Sequence, residues 1–326
     1  MRHKKLLVFL LWAVPVMALA EESIDQVQAW LQKMHEAAHT LNYEGTFVYQ
    51  QNKQLSAMRI VHAYGDDGEK ERLISLDNGG REVIRDEKGV TCILPDSGSI
   101  VVEKGRPQTQ FPPPFPVDIK RLQAQYVFKL AGKSTVAGQR CQKILIQPTD
   151  AYRYGHRLWV DDDTGLLLKT QLLDERGRVL EQFMFTEINF PETIAEDKLT
   201  PHINGEEFQW YEAGDSSQEK AEEGTVRKWA ANRIPPGFAS SAQRHHRMPD
   251  SKQPVDHLVF SDGLASVSVF IEGPDESGNN LNGGSRMGAV NAYGRKLGDY
   301  HVTAVGEVPQ ATVKMISESI VHQPSP

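Results

Sequence analysis

From Tyr43 to Phe190 apolar residues recur at every second position, in short runs broken by Gly, Asp and Asn. That period predicts antiparallel sheet. Phe47 and Tyr49 alternate with Thr46 and Val48, and Met58, Ile60, His62 and Tyr64 alternate with Ala57, Arg59, Val61 and Ala63. Further strands are predicted over 72–76, 81–85, 91–94 and 100–103, with turns at Gly65-Asp-Asp-Gly68, Asn78-Gly-Gly80 and Ser97-Gly98. After strands at 126–130 and 141–147 comes the clearest part, three strands over 156–160, 166–173 and 178–190 joined by Asp162-Asp-Thr-Gly165 and Asp174-Glu-Arg-Gly177. Helical spacing precedes them. Ser23-Ile-Asp-Gln26 is a capping-box pattern, and Ile24, Val27, Trp30, Leu31, Met34, Ala38 and Leu41 predict one amphipathic helix over 23–41. A meander covered by one helix is a curved sheet with an apolar concave side. The bulky candidates for that side are Phe47, Tyr49, Met58, Ile60, Trp159, Phe183 and Phe185.

The N-terminus reads differently. Arg2, Lys4 and Lys5 precede an apolar run over 6–19, and Ala18-Leu-Ala20 precedes Glu21. This predicts a secretory signal peptide cut after Ala20. Pro15 interrupts the run, which is shorter than the ~20 residues of a membrane span. Export implies an oxidising compartment, so Cys92 and Cys141, both in β-like runs, are expected to be joined. A loop of that length would gain roughly 4 kcal/mol in the chain-entropy description.

Beyond the strands, Phe111-Pro-Pro-Pro-Phe-Pro116 removes four backbone donors and reads as an exposed loop before a short helix over 117–125. Residues 201–224 hold Asp215-Ser-Ser-Gln-Glu-Lys-Ala-Glu-Glu-Gly224, with four carboxylates against one lysine, and read as an acidic linker. The expected division is a signal peptide over 1–20, a barrel domain over 21–200, the linker over 201–224 and a smaller α/β domain over 225–326. The last is predicted to hold strands at 255–260 and 265–272, a Gly/Asn-rich loop over 273–284 and a hairpin across 289–306. A closing helix begins near Pro309, with Val313, Ile316 and Ile320 on its apolar face.

The sequence offers little to an enzyme. Ser97-Gly-Ser99 and Ser261-Asp-Gly263 lack the glycine pattern of a nucleophile elbow. His245 and His246 would point to opposite faces of a strand, Asp161-Asp-Asp163 reads as a hairpin turn, and Asn279-Asn-Leu-Asn-Gly-Gly284 lacks the Lys-Ser/Thr ending of a phosphate loop. No catalytic residue, metal or cofactor is expected. A formal charge of −7 argues against a nucleic-acid partner, which needs a basic face to release counterions.

Five blocks are more specific than any of these motifs: Asp150-Ala-Tyr-Arg-Tyr-Gly-His-Arg-Leu-Trp-Val160, Thr164-Gly-Leu-Leu-Leu-Lys169, Gly177-Arg-Val-Leu-Glu-Gln-Phe-Met-Phe-Thr-Glu187, His257-Leu-Val-Phe-Ser-Asp-Gly-Leu-Ala-Ser-Val-Ser-Val-Phe-Ile271 and Arg286-Met-Gly-Ala-Val-Asn-Ala-Tyr-Gly294. Together they resemble the RseB/MucB family, periplasmic negative regulators of the envelope-stress sigma-E factor. The resemblance implies an α+β protein, with an N-terminal lipoprotein-carrier-like (LolA-like) half-open antiparallel barrel and a smaller C-terminal α/β domain. It implies binding of the periplasmic part of an RseA/MucA-type anti-sigma factor, protection of that factor from regulatory proteolysis, and release on binding lipid or lipopolysaccharide. A periplasmic lipid or lipoprotein carrier is the alternative, and homo-oligomerisation stays open. On this basis the bulky concave set is the expected lipid site. The resemblance carries over no peptide contact; two domains tied by a long acidic linker create a cleft, and Phe260, Phe270, Arg286 and Met287 are the expected contacts for an anti-sigma peptide held there, the last two because they follow a Gly/Asn loop able to close over a ligand.

Overall fold

The computed structural model describes residues 16–52, 54–105, 115–201, 207–213, 229–247, 254–273 and 280–323. Helix α1 (Val16–Thr40) leads into β1 (Tyr43–Gln51), β2 (Gln54–Gly65), β3 (Gly68–Ser75), β4 (Glu82–Asp86), β5 (Gly89–Leu94) and β6 (Ser99–Lys104). A second series follows: β7 (Tyr126–Val136), β8 (Gln139–Pro148), β9 (Gly155–Asp161), β10 (Leu167–Leu173), β11 (Val179–Asn189) and β12 (Gln209–Ala213). The C-terminal part holds β13 (Trp229–Ala231), β14 (Ala239–Arg247), β15 (Pro254–Ser261), β16 (Ser266–Glu272), β17 (Gly283–Met287), β18 (Val290–Leu297), β19 (Tyr300–Gly306), α2 (Gln310–Ser319) and β20 (Ile320–His322).

Two meanders, β1 to β6 and β7 to β11, join side by side because β11 returns to pair with β1. The result is one open twelve-stranded sheet in the order β12-β6-β5-β4-β3-β2-β1-β11-β10-β9-β8-β7, antiparallel except where β12 runs parallel to β6. Its core sets Val27, Leu31 and Met34 of α1 against Phe47, Ile60, Phe183 and Phe185 of the sheet. Lys33 of the same helix donates to the carbonyls of Asp162 (2.6 Å) and Asp163 (3.0 Å), in the β9–β10 turn. That turn is tightened by Asp161, whose Oδ2 accepts from Thr164 N and Oγ1. A smaller six-stranded sheet, β14-β15-β16-β19-β18-β17, buries its own core of Leu258, Phe260, Val267, Val269 and Ile271 with Val313 and Ile316 of α2.

Several sequence expectations are corrected. The chain is already helical at Val16, the first described residue, and not first at the Ser23 capping box, because apolar residues 16–20 of the uncut chain continue the helical run. The short helix expected over 117–125 is a single 3₁₀ turn at Lys120–Leu122. Part of the expected linker, Gln209–Ala213, is an edge strand of the main sheet; the acidic residues 215–224 lie outside the described residues, as do 111–114 of the proline-rich run. Strand β17 occupies the end of the expected Gly/Asn loop, and Ile320 starts β20 instead of ending the helix. Cys92 and Cys141 are not joined. Both thiols are free, and seven strands separate β5 from β8 in the sheet, whereas a disulfide needs Cα atoms within about 7 Å.

Candidate functional site

Residues paired across antiparallel strands share a face, so the register assigns the concave set directly. Phe47 stands opposite Met58 and Phe185, Tyr49 opposite Phe183, and Ile60 opposite Gly45. Phe183 is opposite Thr170, which is opposite Leu158. Six of the seven predicted residues therefore line one face, and Trp159, next to Leu158, points to the other. This corrects its sequence assignment: Leu158, Trp159 and Val160 are all buried, so alternation within that run could not show which side faced inward. The concave side is packed. Phe47, Phe183 and Phe185 meet edge to face with ring centres 5.4–5.7 Å apart, under the apolar side of α1.

Toward β3 and β4 the same face turns polar. His62, fully buried, stacks on Tyr43, with Nδ1 2.7 Å from the Leu41 carbonyl and Nε2 3.1 Å from Glu69; His39 of α1 reaches the other Glu69 oxygen at 3.1 Å. Burial would lift the Glu69 carboxyl, but hydrogen bonds from His62 and His39 outweigh it and hold it down at about 2. Glu71, beside it, is paired with Arg85 at 2.5 Å, yet burial dominates and pushes its carboxyl up to about 7.

The two sheets meet through a junction that sequence reasoning missed. Arg153, in the β8–β9 loop, is wholly buried with its guanidinium between the rings of Tyr126 (5.4 Å) and Phe238 (5.2 Å), the latter from the C-terminal part. Its Nη2 donates to the Pro236 carbonyl at 2.5 Å, and its Nε lies 3.4 Å from Asp262 and 3.5 Å from Asp150. Tyr126 donates its hydroxyl to the same Asp262 oxygen at 2.9 Å, and burial followed by that carboxylate keeps the phenol protonated. Around this pin, Asn291 donates to the Tyr154 hydroxyl at 2.9 Å and Thr312 to the Tyr152 carbonyl at 2.6 Å. The available signal was that Arg153, Asp262 and Asn291 belong to three of the sequence blocks quoted above.

Beside the junction lies a cleft of about 390 Å³ lined by Gln50, Asn52, Val179 and Leu180 of the first sheet and Arg286 and Gly288 of the second. Of the predicted peptide contacts, Arg286 reaches this cleft and Met287, next to it, is 71% exposed. Phe260 is placed elsewhere. It is a core residue of the second sheet, 3% exposed, because it shares a face with Val267 and Leu258. Phe270 is half-buried and stacks on His257 at 4.5 Å.

Comparison with known proteins accounts for both parts. The MucB/RseB N-terminal domain matches residues 26–203 and the MucB/RseB C-terminal domain residues 223–321. The sigma factor AlgU regulatory protein MucB of Pseudomonas aeruginosa is 36% identical over 327 residues, covering 98% of each chain. The sigma-E factor regulatory protein RseB of Escherichia coli K12 is 27% identical, over 90% of this chain and 89% of its own. The Pseudomonas aeruginosa MucA/MucB complex structure superposes with a TM-score of 0.70 at 32% identity, over 92% of this chain and 100% of that one. A crystal structure of MucB gives 0.60 at 31% identity, over 92% of this chain and 98% of that one. With both domains matched and the relation extending along nearly the whole length, the chain belongs to the MucB/RseB family.

Proposed function

We propose that this protein is a periplasmic regulatory binding protein, not an enzyme, which holds the periplasmic part of a MucA/RseA-type anti-sigma factor in the cleft between its two sheets. It shields that factor from regulatory proteolysis and so restrains the sigma-E response. The observation that carries this reading is the cleft itself, to which both domains contribute and into which Arg286 projects, in a chain related along its length to a MucB solved with MucA. The segment ending at Ala20 directs export and is then removed. Lipid or lipopolysaccharide releases the factor: an acyl chain gains about 0.8 kcal/mol per buried methylene, and the filled concave side means that it enters by displacing Val27, Leu31 and Met34 of α1. Such a displacement would reach the cleft through Tyr49, whose hydroxyl is bound to Glu181 at 2.6 Å near the strand ends that line it.

A labelled anti-sigma peptide should bind the mature chain with a rise in anisotropy. Arg286→Glu should weaken that binding, and lipopolysaccharide should reverse it. Undiminished affinity in a chain lacking residues 225–326 would eliminate the cleft. Lipopolysaccharide that leaves the peptide bound at every concentration below aggregation would eliminate the release step.

A further inference from the structure

The convex face of the main sheet carries a cluster of cations that no acid pairs among the described residues; Asp161, further along β9 on the same face, is buried and bound to Thr164. Across β8, β9 and β10 the register sets Lys143 opposite Trp159 and Trp159 opposite Lys169. In the next row Lys129 faces Leu145, Leu145 faces Arg157, and Arg157 faces Gln171. Lys169 Nζ lies 4.8 Å and Lys143 Nζ 5.4 Å from the centre of the Trp159 ring, so one indole holds two ammonium groups. Nearby cations of the same sheet are matched: Lys133 and Arg140 pair with Asp162, and Arg178 pairs with Asp174. Among the described residues Lys129, Lys143, Arg157 and Lys169 have no carboxylate partner, and the one polar contact in the group runs from Arg157 to Gln171 Oε1 at 3.5 Å. Burial and then the charge of Lys143 push the Lys169 ammonium below its usual range. Like charges close together across strands are unfavourable until a counter-charge arrives.

We propose that this face is a second docking surface, for an acidic segment of a protein partner whose carboxylates pair with Lys143, Lys169 and Arg157. The surface lies on the side of the sheet opposite the concave set. Charge complementarity selects the occupant, in a protein that is otherwise acidic at −7. Three adjacent strands span roughly 10 Å, which an extended chain covers in about three residues, so alternate acidic side chains of one segment reach the row. A lipid bilayer fits less well. A membrane-seeking face presents large exposed apolar side chains, and here Trp159 is 7% exposed, with Val127 near the edge the one exposed large hydrophobic on these strands.

The test uses the mature full-length chain and a fluorescein-labelled hexaglutamate peptide at low ionic strength. Lys143→Gln combined with Lys169→Gln should weaken peptide binding tenfold or more, while Lys88→Gln combined with Arg176→Gln, at turns elsewhere, should leave it unchanged. Peptide should also alter indole emission in the parent and not in Trp159→Phe. If the double variant loses its near-ultraviolet circular dichroism, Lys143→Gln alone should still weaken binding about threefold. Equal affinity in the folded double variant overturns the proposal. So does a lysine-dependent attachment to phosphatidylglycerol vesicles without peptide binding, or competition by inorganic phosphate as effective as that by the peptide.

Discussion

Asp262→Asn isolates the charge that pins the two sheets together. The substituted amide keeps an oxygen where Asp262 Oδ1 accepts from Leu264 N (2.9 Å) and Ala265 N (2.7 Å), so the β15–β16 turn survives. What changes is Oδ2, which accepts from the Tyr126 hydroxyl and lies 3.4 Å from Nε of the fully buried Arg153 as its ion-pair partner. Removing one partner of a buried ion pair costs about 3–5 kcal/mol, mostly because the remaining charge is left uncompensated. Asp150 still lies 3.5 Å from Arg153 Nε, and Arg153 Nε and Nη1 already lack hydrogen-bond partners, so the loss should fall near the lower end, about 3 kcal/mol. That is about a hundredfold in the ratio of closed to open junctions. Because each sheet has a core of its own, opening the junction should not unfold either. Scanning calorimetry should therefore resolve two transitions in the variant where the parent shows stronger coupling, and small-angle scattering should report a larger radius of gyration. An unchanged thermogram and radius would refute the assignment of Arg153 and Asp262 as the coupling element.

Gly45→Ala drives a Cβ into the Glu187 carbonyl oxygen and to 3.0 Å from Phe185 and Ile188, so β1 and β11 must part; a loss of about 1–3 kcal/mol, read from the urea midpoint, is expected. Glu69 titrates lower in the folded than in the unfolded chain, so its contribution is complete above its ordinary pKa of 4.5 and is lost as pH falls through about 2. His62→Gln removes one of the hydrogen bonds responsible and should move acid unfolding to higher pH. Denatured, unreduced protein should yield two thiols per chain by colorimetric titration. In the native state Cys141 should react far more slowly than Cys92, since burial pushes its thiol up to about 12.

What the sequence made legible was local. The three strands from Gly155 to Asn189 match their expected positions within one or two residues, because tight Asp- and Gly-containing turns fix their ends. What it hid was set by partners far along the chain. β12 is five residues long, sits beside an acidic stretch, and exists by pairing with a strand more than a hundred residues earlier. The same non-locality explains the two cysteines, each in a correctly recognised strand but assigned a neighbour that the strand order denies it. At the candidate site, Arg286 was expected from its place after a Gly/Asn-rich run and lines the cleft, whereas Arg153 stood out in the sequence as a member of one family block and no more: a lone arginine between two tyrosines acquires meaning only when Phe238 and Asp262 close over it.

The pairing of β1 with β11 also orders events in time. Its register joins Glu44 to Asn189 and Gln51 to Glu181, so the seam of the main sheet closes between segments separated by most of the first domain. Loop-closure entropy makes such contacts late and slow. Until residue 189 is available, β1 has a partner on the β2 side alone and presents an open edge, a template for association with other chains. A polypeptide crossing a membrane from its N-terminus would therefore arrive with that edge unsealed, so the step most exposed to aggregation falls between the emergence of β1 and that of β11.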